Sequence, residues 1–302
     1  MLERMKAEGL NSIVVLGPTA CGKTAYAVSL ARRYGGEIIS ADSRQVYKGL
    51  DIGTGKDLGE YGSVPYHLID ICTPETEYNV FDFQKDAYEA FNKISAKGRL
   101  PIFAGGTGLY LDSGIRKYEL IPVPENEALR LSLLPKPLKE LQAMLLRLKP
   151  DVHNKTDLEQ RERLIRAIEI AEYKRLNPEA ASALIAARPD IRPYIIGLRF
   201  PRTVLKDRIK KRLLDRIRAG MIEETERLHA AGLPWSRLEA LGLEYKFTAL
   251  YLQNKIETRD EYIGVLYRAI CAFAKRQETW FRRMEKNGVT INFLDCAEKS
   301  LR

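Results

Sequence analysis

Residues 12–24 read SIVVLGPTACGKT, and this stretch decides the fold. SIVVL (12–16) is a short apolar run rich in β-branched residues, which reads as a buried strand. Gly17-Pro18-Thr19-Ala20-Cys21-Gly22-Lys23-Thr24 then fits the spacing G-x-x-x-x-G-K-[ST]. AYAVSLARRYG follows as an amphipathic helix ending at Gly35 and Gly36. Strand, glycine turn and helix in this order make a phosphate cradle. The glycines let backbone N–H groups turn inward around phosphate oxygens, and the helix adds its positive N-terminal end. Lys23 supplies an ammonium for the terminal phosphate, and Thr24 is placed to hold Mg²⁺. The motif therefore identifies a binder of a diphosphate or a triphosphate. It leaves open whether a γ-phosphoryl group moves or a diphosphate departs from carbon.

Outward from this cradle, GEIIS (36–40), YHLIDI (66–71) and LPIFAG (100–105) read as further strands. FDFQKDAYEAFNKISAKG reads as a helix closed by Gly98, and GGTGLYL (105–111) leads into another. Strands alternating with helices imply an α/β fold, a P-loop NTPase-like parallel sheet flanked by helices. The pattern then changes. YELIPVPENEA (118–128) reads as a linker, and 129–188 is helical in pattern with breaks at Pro135, Pro137, Pro150 and Pro178. The expected organisation is a core domain of 1–118 plus 190–302, interrupted by a helical insertion at 119–189. RPYIIGLRF (192–200) returns as a strand, helical patterns follow at 202–218, 221–231, 244–253 and 258–285, and VTINFLD (289–295) is a last strand.

Composition excludes several classes. Of 302 residues, 45% are hydrophobic and 29% charged, which is ordinary for a globular chain and excludes wholesale disorder. No apolar run approaches the roughly 18–20 residues that span a bilayer, so no membrane association is expected. The charged start MLERMKAEGL does not read as a signal peptide, and a cytoplasmic location is expected. The four cysteines, Cys21, Cys72, Cys271 and Cys296, lack metal-ligand spacing and read as free thiols. The net charge of +9 is unevenly placed: residues 1–110 hold 12 basic and 13 acidic side chains, whereas residues 199–286 hold 20 and 12. A localised basic excess attracts polyanions, nucleic acid above all.

The run SADSRQVYKGLDIGTGK (40–56) follows the second strand. Asp42 lies just past the strand's carboxyl end, where open α/β sheets bind ligands, and reads as a Mg²⁺ ligand, a cap or a general base. Together with GPTACGKT, this run, HLID (67–70), YNVFDF (78–83), GGTGLYL, RLIRAIEI (163–170), RIKKRLLDRIRAG (208–220) and AKRQETWFRR (274–283) resemble the tRNA dimethylallyltransferase family, also called tRNA isopentenyltransferases. The matches run in family order across nearly the whole chain.

The resemblance implies transfer of a dimethylallyl group from dimethylallyl diphosphate to N6 of the adenosine 3′ of the anticodon, in tRNAs reading codons that begin with U. Diphosphate leaves, so the P-loop works without hydrolysing a nucleotide. Asp42 takes the family position of the general base, because an exocyclic amine is a poor nucleophile until its proton is taken. Lys23, the loop amides and Mg²⁺ on Thr24 stabilise the departing diphosphate. Thr107 matches a position that hydrogen-bonds near the leaving oxygen and otherwise reads as a helix cap. Arg212 matches an arginine that reaches the diphosphate and otherwise reads as one more charge on a basic helix. The implied contacts to the tRNA anticodon stem-loop are Asp42, Ser43, Arg44 and Gln45 at the target adenosine, and Glu162, Arg163, Leu164, Ile165 and Arg166 beside the loop, with both arginines on phosphates.

The target base has to be extruded to be reached. Apolar packing is expected of Tyr78, Phe81, Phe83 and Trp280, a structural hydrogen bond of His67, and a distant Mg²⁺-orienting role of Asp70. A monomer is expected. One departure stands out: family members carry G-Y-[RK]-[EQ] where this chain has Gly242-Leu243-Glu244-Tyr245-Lys246. The insertion also reads as short, its first helix interrupted by Pro135 and Pro137. Three other functions share parts of the pattern: an adenylate isopentenyltransferase acting on free AMP, ADP or ATP, a small-molecule P-loop kinase, and an RNA-binding NTPase switch. The basic C-terminal third and the insertion favour tRNA over the first, the 40–56 run disfavours the second, and the intact Asp42, Lys23, Thr24 and Thr107 disfavour the third.

Overall fold

Alternate residues of β1 (Ser12–Leu16) enter two different hydrophobic clusters, Ile13 and Val15 one, Val14 and Leu16 the other. A strand feeding two cores has helices on both faces, which is why SIVVL is apolar throughout rather than alternating. The computed structural model describes residues 1–115, 118, 120–150, 156–179, 182–183 and 188–296. Its sheet has six strands, all pairing in parallel, in the order β3-β2-β4-β1-β5-β6. They are β1, β2 (Gly36–Ser40), β3 (Tyr66–His67), β4 (Leu100–Gly105), β5 (Pro193–Arg199) and β6 (Asn292–Asp295). The strand expected over 66–71 stops after two residues. Leu68 and Asp70 both take positive φ, +63° and +57°, so the chain turns away from the sheet.

Helices α1 (Leu2–Ala7), α2 (Lys23–Tyr34), α3 (Val80–Ala96) and α4 (Gly108–Ile115) belong to the first half of the chain. The YNVFDF stretch starts α3 through a capping box: Asn79 accepts from the Phe81 and Asp82 amides, and Asp82 accepts back from the Asn79 amide. Phe83 is buried and stacks on Tyr110 at 4.2 Å, so this stretch packs α3 on α4.

Chain order against strand order positions the site. β4 lies between β2 and β1, so the segments leaving those three strands emerge side by side at one end of the sheet. Those segments are Ala41–Ser43, Gly106–Thr107 and the glycine loop 17–22.

Five helices, α9 (Arg202–Arg218), α10 (Met221–Ala230), α11 (Trp235–Ala240), α12 (Leu243–Leu252) and α13 (Arg259–Lys286), complete this unit. The last has 28 residues, about 42 Å at 1.5 Å per residue. Tyr262, Leu266, Ile270 and Ala274, nearer its start, join the Ile13 cluster, and Phe281 and Met284, nearer its end, join the Val14 cluster. The helix thus serves both faces of the sheet, and Gln277 falls between the two sets.

The chain divides into two compact units, Met1–Tyr118 with Pro189–Arg302, and Glu119–Arg188. The smaller unit contains α5 (Glu127–Leu133), α6 (Leu138–Leu148), α7 (Thr156–Glu159) and α8 (Arg161–Leu176). The break between α5 and α6 spans Pro135 and Pro137, as the sequence suggests. Leu133, Leu141, Leu145, Leu164, Ile165 and Ile168 form its own core. Among the described residues, no helix is long and apolar enough to cross a membrane.

Candidate active site

The three side-by-side segments open into a cleft of about 570 Å³. Thr19, Ala20, Gly22, Lys23, Thr24, Asp42, Ser43, Arg44, Gln45, Thr107 and Arg212 all line it. Gly17, Pro18 and Cys21 lie buried beneath, where burial pushes the Cys21 thiol up. The Lys23 ammonium has only a 3.5 Å contact with the Pro18 carbonyl and remains available to a ligand. Asp42 accepts from the Arg44 amide at 2.9 Å through Oδ1. The Thr107 hydroxyl accepts from the Ser43 amide at 3.2 Å, and the Thr107 amide donates to the Ala41 carbonyl. Thr107 therefore ties the turn after β4 to the turn after β2. Gly105 makes this approach possible: a Cβ there would collide with the Ala41 carbonyl.

The segment 43–57 is fixed from beneath by buried polar groups. Gln45 accepts from Ser40 Oγ at 3.0 Å and donates to the Gly55 carbonyl at 3.0 Å. The buried Lys56 ammonium donates to the Tyr47 carbonyl and to Asp51 and Asp70. Asp70, expected to orient a distant Mg²⁺, is here an ion-pair partner of Lys56. His67 makes its structural bond, with Glu37 at 2.7 Å. The Glu224 carboxylate accepts from the amides of Asp51, Ile52 and Gly53 at 3.0, 2.8 and 3.0 Å, and from the Tyr245 hydroxyl at 2.6 Å. Burial, with Glu224 beside it, drives the Tyr245 phenol far above its ordinary pKa. Tyr245, in the stretch that departs from the family pattern, is thus an internal brace.

Helices α9 and α13 close the cleft. Arg208 donates to the carbonyl of Ala20, a residue held at φ +62°, at 2.8 Å. Arg212 pairs with Asp57 at 2.9 Å. Arg216 reaches the Gly53 carbonyl at 3.2 Å and Glu244 at 3.4 Å. Gln277, quoted within AKRQETWFRR but given no role there, proves central. It accepts from the Thr19 amide at 2.8 Å and donates to the Gly106 carbonyl at 2.9 Å. One buried amide so bridges the glycine loop and the turn after β4. A lone Gln in a polar stretch gives no local signal of this. Only the helix's passage between the two cores places it there.

The residues expected beside the anticodon loop lie on α8 in the smaller unit. Glu162 and Arg163 are exposed. Leu164 and Ile165 are buried in that unit's core, so their side chains hold α8 in place and do not face an RNA. Arg166, expected on a phosphate, pairs here with Glu169 and donates to the Val123 carbonyl at 2.7 Å. Burial alone would raise the Glu169 carboxyl. Hydrogen bonds from Arg130, the Asn126 amide and Arg166 outweigh that and hold it at about 2.

Among the described residues, no cluster of three His, Cys, Asp or Glu side chains forms a metal cage. Thr24 lies on the cleft wall, and no hydrogen bond within the described residues engages its hydroxyl. One hard oxygen donor with open space suits Mg²⁺ bound mainly through substrate phosphates and water.

A model of IPP transferases matches residues 45–284, and a model of isopentenyl transferases matches residues 10–61. A tRNA dimethylallyltransferase 2 of Treponema denticola is 70% identical over 284 residues, which cover 94% of this chain and 95% of that protein. A tRNA dimethylallyltransferase of Treponema pallidum is 56% identical over 286 residues, covering 94% and 90%. Among solved structures, the full-length tRNA isopentenylpyrophosphate transferase of Bacillus halodurans is 34% identical with a TM-score of 0.67, covering 94% of this chain and 90% of that one. The chain belongs to the IPP transferase family.

Proposed function

We propose that this chain is a tRNA dimethylallyltransferase, moving a dimethylallyl group from dimethylallyl diphosphate to N6 of the adenosine 3′ of the anticodon. The observation that carries this reading is the meeting, in one cleft, of the phosphate loop with Asp42 and Thr107. In the transfer, the adenine N6 bonds to the first carbon of the dimethylallyl group as that carbon's bond to the diphosphate oxygen breaks. The Asp42 carboxylate takes the N6 proton. The diphosphate departs toward Lys23, the loop amides and Arg212, charges and dipoles aimed where negative charge develops. Thr107 Oγ1, already accepting from the Ser43 amide, retains its own proton to donate to the leaving oxygen. Thr24 would hold a Mg²⁺ ion, which supplies further positive charge for the departing diphosphate. Exposed Arg163 suits contact with tRNA phosphate, and the chain would act as a monomer. All four cysteines are free, in keeping with the reducing cytoplasm.

The test is incorporation of labelled dimethylallyl diphosphate with Mg²⁺ into unmodified tRNA, with parallel AMP and ATP as acceptors. Label on tRNA, absent when the target adenosine is replaced, is expected. Label on AMP or ATP instead would move the chain to the adenylate-modifying class. Asp42→Ala should lower turnover by roughly a hundredfold or more while tRNA affinity stays within about twofold. A near wild-type rate would remove Asp42 from the base role.

A further inference from the structure

Arg216 stands behind Arg212 on the same face of α9, one turn further along. Its side chain is only 12% exposed, yet Nε and Nη2 have no hydrogen-bond partner. Its one carboxylate neighbour, Glu244, is a long 3.4 Å away. Burial, with Arg212 beside it, lowers the Arg216 guanidinium to about 10. A buried guanidinium with donors unmet, beside a second cation, makes a site short of negative charge.

The surroundings say where that charge enters. A void of about 10 Å³ is lined by Arg212, Arg216, Glu244 and, from the phosphate loop, Thr19 and Ala20, with apolar Ile209, Leu213 and Ile270 completing its wall. That is room for about one water-sized oxygen. The first five of these residues also line the main cleft. Gly55 holds the two guanidiniums together: a Cβ on it would collide with Nη2 of both. Its φ of +60° further suits a residue without a side chain.

We propose that Arg216 binds the substrate diphosphate together with Arg212, an inference that rests on the dimethylallyl diphosphate reading above. Glu244 and Asp57 are the resident partners of Arg216 and Arg212, and the incoming diphosphate supplants them. The pairing of Arg216 with Glu244 also accounts for the carboxylate in the Gly242–Lys246 stretch, where the family pattern has a basic residue.

Calorimetric titration with inorganic pyrophosphate and Mg²⁺ tests this, because it needs no turnover. Wild-type protein should bind. Arg216→Met should weaken binding roughly tenfold or more, the loss of a charge-assisted contact, with tRNA affinity unchanged. Glu244→Gln, which frees Arg216 from its partner, should bind pyrophosphate at least as tightly as wild type. Folded Arg216→Met protein binding within twofold of wild type overturns the proposal while leaving the dimethylallyl diphosphate reading intact. Should Arg216→Met fail to fold, Glu244→Gln decides: a loss of more than threefold makes the pair structural and overturns the proposal. No binding by wild type overturns both.

Discussion

Two buried carboxylates organise the two units by different chemistry. Glu224 collects three consecutive backbone amides and a phenol, all neutral donors, and so shapes the loop that faces the cleft. Glu169 collects two guanidiniums and one amide, and so locks α8 to the segment before α5. The first arrangement stabilises a conformation of the main chain. The second stabilises a packing of helices. Removing Glu224 takes the acceptor from a loop's amides, while removing Glu169 leaves Arg130 with Glu125 alone and Arg166 with the Val123 carbonyl alone. The first loss should reach chemistry directly, and the second should reach stability and acid tolerance.

The largest effect is therefore expected for Glu224→Ala. It leaves the buried Gly53 amide and the half-buried Asp51 and Ile52 amides without their acceptor, at about 1–3 kcal/mol for the buried one before relaxation. A loss of roughly 3–5 kcal/mol in urea unfolding is expected. The carbonyls of Gly53 and Gly55 would move with the loop and take Arg212 and Arg216 with them, so turnover should fall even where the protein still folds. Loss of stability with turnover intact would show that the loop is not what positions those arginines.

Glu169 gives an effect that depends on pH. Its folded value of about 2 lies below the ordinary 4.5, so its stabilisation is fully present above about 4.5 and is lost as pH falls toward 2. The shift corresponds to about 3 kcal/mol. Both tryptophans, Trp235 and Trp280, lie in the larger unit, so their fluorescence would miss the change. Amide exchange along α8, corrected for its intrinsic pH dependence, should show protection fading across that window in wild type. In Glu169→Gln, protection should already be low above the window and flat through it. Equal protection in both proteins would deny Glu169 its role.

These two carboxylates also show what the sequence could and could not reveal. The cradle at 17–24 was legible because strand, glycine loop and helix are contiguous and each residue type has a local reason. Asp42 and Thr107 were legible by resemblance, and the three-strand order explains their meeting. Glu224 and Tyr245 were not, because partners 21 positions apart on two helices leave no periodic trace. Gln277 joins groups 258 and 171 positions away. The two-residue β3 was over-read because apolar Leu68 and Ile69 look like strand, whereas the Lys56–Asp70 pair accompanies a turn there. Short α1 and α11 went unread, as helices of six residues carry little pattern. Within α8, Arg163 and Arg166 are three positions apart, about 300° of turn, and so only about 60° apart around the helix, yet their partners differ.

That last contrast yields the smallest effect and the sharpest separation. Arg163 is exposed and has no ion pair among the described residues, whereas Arg166 is held by Glu169 and Val123. Arg163→Ala should leave unfolding within about 0.5 kcal/mol of wild type, as for most surface changes. If Arg163 meets a phosphate, the same variant should weaken tRNA binding severalfold and lower the salt slope of log K by about one unit. Arg166→Ala should do the reverse, costing helix protection along α8 through the loss of a partner to Glu169, with the salt slope unchanged. Filter binding at several salt concentrations, read beside amide exchange, measures both. Equal salt slopes for wild type and Arg163→Ala would remove Arg163 from the phosphate contacts. A lowered slope for Arg166→Ala would mean that Arg166 leaves Glu169 when tRNA binds, and that the brace is also a contact.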